Sequence, residues 1–272
     1  MSSSVPSKRL HPPNRLPPGK GLTPWLASFL NSTIGSKILV ALTGICLTGF
    51  VVVHMIGNLK IFGGPDAINS YARFLKDLGP LLWVARIGLL ALVLLHLSLA
   101  IRLKLRSKSA RPVPYQHPAT IQASFASRTM LQTGLVILAF VLFHLAHFTF
   151  GAISTTTAHD TATNQSVETN YLNLIDAQGR HDVYSMVVAG FRNPIISILY
   201  ILAQLALFTH LSHGVSSVFQ SLGLNTPRFQ PAIKTFGLTV AGVVAVANMA
   251  IVVAVWSGLV VPLESFVCLP RN

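Results

Sequence analysis

The chain has 272 residues, of which 51% are hydrophobic and only 10% charged, with 20 Lys and Arg against 7 Asp and Glu and a formal charge of +13. That balance excludes an ordinary soluble domain. It also argues against nucleic-acid binding, because no polar basic domain or aromatic-studded groove carries the charge. The two cysteines, Cys46 and Cys268, are too few and too far apart for a disulfide framework or a cysteine-built metal site.

Residues 1–35 open with MSSSVPSKRLHPPNRLPPGKG, a Pro-rich basic segment, and read as a disordered cytoplasmic tail. Its following apolar run is too long for a secretory signal and lacks a small-residue cleavage site. Five apolar stretches then follow, at about residues 37–59, 81–101, 129–150, 194–215 and 236–261. About 20 apolar residues at 1.5 Å each cross roughly 30 Å of hydrocarbon, so each is expected to span a bilayer as a helix. The fold expected is therefore an all-α integral membrane bundle of five helices, one domain over residues 36–262, with no internal repeat and a short tail over 263–272.

Lys and Arg distribution orients it. Lys8, Arg9, Arg15, Lys20 and Lys37 precede the first crossing, and Arg102, Lys104, Arg106, Lys108, Arg111 and Arg128 lie between the second and third with no acid among them. Both segments are expected inside. The loop of residues 151–192 holds Asp160, Glu168, Asp176 and Asp182 against Arg180 and Arg192, which suits the outside. The N-terminus is then cytoplasmic and the C-terminus external, in a bacterial cytoplasmic membrane. That loop is long enough to carry structure of its own, and DVYSMVVAGF, Asp182 to Phe191, reads as a short interfacial helix capped by Asp182.

Six of the ten histidines fall inside the crossings: His54, His96, His144, His147, His210 and His213. Ionisable residues at that depth are rare and mark function. Counted from the ends of their helices, His54 and His144 lie about 25 and 24 Å from the inner edge. His96 lies roughly 9 Å from that edge, and His210 about 24 Å down from the outer one. Two pairs at two levels result, His54 with His144 and His96 with His210. Within His144/His147 and His210/His213 the spacing of three residues places both members on one helix face and leaves the choice open, although depth favours the first of each. The small residues Gly44, Thr48, Gly49, Gly134 and Gly214 admit close approach of a cofactor or of a neighbouring helix.

Two imidazoles facing each other in an apolar bundle suit the axial positions of a b-type haem. A di-iron centre needs carboxylates, and the five crossings contain none. A zinc site at His144 and His147 lacks anionic or cysteine ligands.

The strings IGSKILVALTGICLTGFVVVHMIGNL, INSYARFL, ASRTMLQTGLVILAFVLFHLAHF and FRNPIISILYILAQLALFTHLSHGVSSVFQSLGLN resemble, in that order, the five-helix cytochrome b subunit of succinate dehydrogenase and fumarate reductase. The resemblance covers Ile34 to Asn225. It implies a membrane anchor for a flavoprotein and an iron-sulfur protein on the cytoplasmic side. The chain would hold two haems b and pass electrons to a membrane quinone, menaquinone by the diheme type, without itself carrying succinate chemistry. Carried over by motif, His96 and His210 ligate the proximal haem iron, and His54 and His144 the distal one. On the depth reading, His147 and His213 would be hydrogen-bonding neighbours of haem propionates, or merely interfacial. Candidate quinone residues are Arg86, Asp66 and Asp77 near the outer face, and Ser36, Lys37, Arg128 and Gln132 on the inner side. Two other classes stay open: a diheme cytochrome of another quinone-linked oxidoreductase, and a haem-free anchor or transporter that uses the histidines for packing or protons.

Overall fold

The structure is a computed structural model that describes residues 22–111, 113, 123–153, 155–160, 163–261 and 267–268. Lys8, Arg9, Arg15, Lys20 and Glu264 lie outside the described residues. The chain is mostly helical, and five helices are long and apolar enough to cross a membrane.

α1 (Leu22–Asn31) already lies within the segment read as a disordered tail, and α2 (Thr33–Asn58) begins inside it too. The turn between them explains why: the Ser32 hydroxyl accepts from the Gly35 amide and satisfies one of the free amides of the α2 N-terminus. After a tight turn of helix at Leu59–Gly63, Gly64 adopts φ 85° and Pro65 opens α3 (Pro65–Asp77). α4 (Pro80–Ser109) also starts on a proline. A single turn, α5 (Phe125–Arg128), precedes α6 (Met130–His144), which runs into a widened turn at Leu145–Thr149. There the Phe150 amide reaches back five residues, to the Leu145 carbonyl at 2.8 Å.

The loop read as external is not helical throughout, and the all-α expectation is corrected here. β1 (Thr155–Asp160) and β2 (Ser166–Asn170) form an antiparallel hairpin with Thr155 opposite Asn170. β3 (Leu174–Ile175) and β4 (Val267–Cys268), the latter from the tail over 263–272, complete a four-stranded sheet of order β2-β1-β4-β3. β4 runs parallel to β1 and antiparallel to β3.

α7 (Val183–Arg192) is capped by Asp182, whose carboxylate accepts from the Ser185 amide at 3.0 Å. The cap is where the sequence puts it, but the helix is no surface amphipath. Tyr184, Val188 and Phe191 are buried with Ile61, Ile68 and Ile251. Both α8 (Pro194–Ser221) and α9 (Gln230–Trp256) abut it. Trp256 Nε1 and Ser197 Oγ both donate to the Phe191 carbonyl, so α7 is wedged into the sheet end of the bundle.

α8 is central and packs on α2, α6 and α9, whereas α4 packs mainly on α2. Of the most apolar stretch of α9, 39% of residues are buried by protein, against 6% for α4. Small residues let α9 come close: a Cβ on Gly237 would lie 3.0 Å from the Ser212 carbonyl oxygen of α8, and Ala241 and Ala245 follow at four-residue intervals. α4 instead exposes Leu81, Trp83, Val84, Ile87 and Leu90. An apolar helix so exposed is compatible with a hydrocarbon surround.

Charge follows the same axis. The six acids among the described residues all belong to the sheet end, and Lys37, Arg102, Lys104, Arg106, Lys108 and Arg128 to the opposite, basic end.

Candidate functional site: two histidine pairs

Toward the basic end, His96 of α4 leans on α2, and its Nδ1 lies 3.0 Å from Thr43 Oγ1. Thr43 Oγ1 has its own proton directed to the Leu39 or Val40 carbonyl, at 2.8 and 3.1 Å. With that proton on a helix carbonyl, the hydroxyl can only accept from Nδ1. Nδ1 of His96 therefore carries the ring proton, which leaves Nε2 with a lone pair.

His210 of α8 repeats this on α6. Its Nδ1 lies 3.1 Å from Thr133 Oγ1, which also lies 2.9 and 3.2 Å from the Thr129 and Met130 carbonyls. In both cases the next residue is a glycine lying against the imidazole. A Cβ on Gly44 would stand 3.5 Å from His96 Cε1, and one on Gly134 3.3 Å from His210 Cε1.

Each threonine stands eleven residues before a histidine on its own helix, Thr43 before His54 and Thr133 before His144. The pattern Thr-Gly-x9-His thus occurs twice, an internal repeat that the sequence reading missed. Eleven residues rise about 16 Å, which sets the distance along the helices between the two levels.

At the sheet end, the His54 and His144 rings face each other with centroids 5.8 Å apart and planes at 86°. His54 is exposed and stacks on Phe50, and Gly49 beside it would meet nothing within 4 Å on gaining a Cβ. His144 Nδ1 lies 3.1 Å from the Tyr200 hydroxyl of α8. His147 Nδ1 lies 3.0 Å from the same hydroxyl.

The choices left open by spacing differ sharply in surroundings. His147 is fully buried, boxed by Phe143, Phe148, Tyr171 and Tyr200, and a Cβ on Gly190 would lie 3.0 Å from its Cε1. No flat cofactor fits beside it. His213 Nε2 is 2.9 Å from Ser217 Oγ on its own helix. His144 is the member that meets another helix's histidine, His54, and His210 the member held by a threonine of the neighbouring helix.

The donor sets fit haem iron. Two imidazoles on one iron hold their ring centres about 6 Å apart, two metal–nitrogen bonds of about 2 Å plus the span from each nitrogen to its ring centre. The His54–His144 separation meets that, and at the other level both Nε2 lone pairs are free of side-chain bonds among the described residues. No group of three His, Cys, Asp or Glu that could hold a metal ion stands together among the described residues.

The quinone candidates do not converge. The Arg86 guanidinium lies over the Trp83 ring at 5.1 Å, Asp66 pairs with Arg180 at 2.8 Å, and Asp77 pairs with Arg73 at 2.8 Å. Ser36 is fully buried and donates to the Ser32 carbonyl, whereas Lys37, Arg128 and Gln132 are exposed. Sequence reasoning overlooked Thr43, Thr133 and Tyr200, though each is a hydroxyl in an apolar run.

No family model, curated protein or solved structure matches the chain.

Proposed function

We propose that this chain is a diheme membrane cytochrome b, the anchor and electron-transfer subunit of a succinate dehydrogenase in a bacterial cytoplasmic membrane. The observation that carries the diheme reading is the paired arrangement of imidazoles in an apolar bundle: His54 against His144 at 5.8 Å, and His96 and His210 each with Nδ1 about 3 Å from a threonine hydroxyl of the next helix, which suits an Nε2 left for a metal. The resemblance of four sequence strings supports the family, and with it the flavoprotein and iron-sulfur partners at the basic end.

On this reading His96 and His210 hold one haem b, and His54 and His144 the other. Bound haem supplies a reversible one-electron iron couple, which no side chain here provides. The chain's own part is to hold four imidazoles in register, exclude water with apolar helices, and keep the two levels about 16 Å apart. Electrons enter from the iron-sulfur partner at the basic end, and leave to a quinone, menaquinone in this reading, toward the sheet end. Succinate oxidation itself belongs to the flavoprotein.

A reduced-minus-oxidised spectrum of the purified chain tests this. Two b-type signals are expected, with His54→Ala and His96→Ala each removing a different one. Retention of both signals in both variants overturns the pairing. Co-purification with a flavoprotein that oxidises succinate checks the family assignment separately.

A further inference from the structure

Tyr200 has one hydroxyl proton and two imidazole nitrogens within bonding distance, His144 Nδ1 at 3.1 Å and His147 Nδ1 at 3.0 Å. Three proton arrangements are open to such a trio. In the first, His144 Nδ1–H donates to the Tyr200 oxygen and the Tyr200 hydroxyl donates to His147 Nδ1. The second reverses both bonds and places the His144 proton on Nε2, which removes its lone pair. In the third both imidazoles donate to Tyr200, whose own proton then has no acceptor among the described residues while the His147 Nε2 lone pair has no donor.

His147 Nε2 is the buried ring nitrogen without a partner among the described residues. The first arrangement leaves that one group unsatisfied, and the third leaves two. Unsatisfied buried groups each cost free energy, so the first is preferred whenever His144 must offer Nε2 to a metal.

Resting on the diheme reading above, we infer that Tyr200 is the positioning residue of the sheet-end site. It accepts from His144 Nδ1–H, donates to His147 Nδ1, and so commits His144 to presenting Nε2 toward His54. The widened turn at Leu145–Thr149 and the close contact of Gly190 seat His147 as the acceptor that keeps the Tyr200 proton turned away from His144. His147 acts through Tyr200 and not as a ligand. An imidazole whose Nδ1–H is hydrogen-bonded is a stronger donor to iron and favours the oxidised state.

The experiment is a redox titration of the full chain, purified with haem bound, comparing wild type with Tyr200→Phe. The expected result is a more positive midpoint for the signal that His54→Ala abolishes, by about tenfold in the oxidised-to-reduced ratio, ~59 mV for a one-electron couple, with the other signal unmoved. An unmoved midpoint with both signals present overturns the role of Tyr200 and leaves the diheme reading standing. Absence of haem signals from the wild type overturns both. Solid-state NMR of isotope-labelled histidine nitrogens in the wild type keeps the inference testable where the variant fails to fold. His147 protonated at Nε2 is expected, and protonation at Nδ1 overturns the assignment.

Discussion

The two histidine levels solve one physical problem in different ways. At the basic end each imidazole is fixed by its own threonine on a neighbouring helix, and each threonine is followed by a glycine against which the ring lies. At the sheet end a single tyrosine serves two histidines from one helix, and among the described residues His54 has a ring stack in place of a hydrogen bond. The first level is built by repetition within the spanning helices. The second is built by packing, since Tyr171 and Gly190 come from the structure that caps the bundle. Insults confined to the helices should therefore strike the basic-end level, and those to the cap the sheet-end level.

The largest contrast is expected from Gly134→Leu. Its Cβ would already press on His210 Cε1 at 3.3 Å, and the remaining side-chain atoms need the volume the ring occupies. Overpacking of this kind costs about 1–3 kcal/mol or more. The spectrum should lose the His96/His210 signal and keep the other; loss of both together would show that the levels are not independent.

A smaller effect is expected from Thr133→Val and Thr43→Val, which keep the shape and delete the hydroxyl. The loss is one hydrogen bond at each imidazole, about 1 kcal/mol. Haem retention in a dilution assay should fall several-fold at the basic-end level alone. Equal weakening at the sheet end would remove the distinction between the two designs.

The smallest effect comes through the cap. Fully buried Asn69 donates to Asp176 and Asp182 and accepts from the Tyr184 amide, while Asp176 receives Arg180 Nε at 2.7 Å. Burial pushes the Asp176 carboxyl up, but hydrogen bonds from the Arg180 backbone and side chain, Gln178 and Asn69 outweigh it and hold the carboxyl below the usual range. A carboxyl so depressed adds stability that is complete above its unfolded value of about 4 and is lost as pH falls through the lower folded value. Hydrogen exchange, corrected for intrinsic rates, should show α7 and the hairpin losing protection in acid while α8 and α9 hold theirs. Uniform behaviour would mean that the cap and bundle unfold as one unit.

The sequence is most legible where a fixed rise governs. Five apolar runs locate the spanning helices, and 1.5 Å per residue places His54 level with His144 because depth needs no knowledge of which helices touch. Azimuth is another matter. That Thr43 meets His96 and Thr133 meets His210 depends on α2 lying against α4 and α6 against α8, which no count along one helix supplies. The repeat Thr-Gly-x9-His was nevertheless visible, and Tyr200 is a polar group six residues past Pro194, near the depth of His144. β1 and β2 carry β-branched residues that a closer look would have flagged, but β3 and β4 have two residues each and exist only through their partners. α7 misled for a related reason: its apolar face suits a membrane surface as well as a protein interior, and only its neighbours decide.

β4 sits between β1 and β3, yet follows α9 in the chain. During synthesis the hairpin and β3 emerge before α8, and must wait with two unpaired edges until the fifth spanning helix has been made and the strand beyond it delivered. Closure of the sheet thus reports that every crossing is in place. A chain stalled or clipped after α9 would keep its histidines but leave the facing edges of β1 and β3 unpaired.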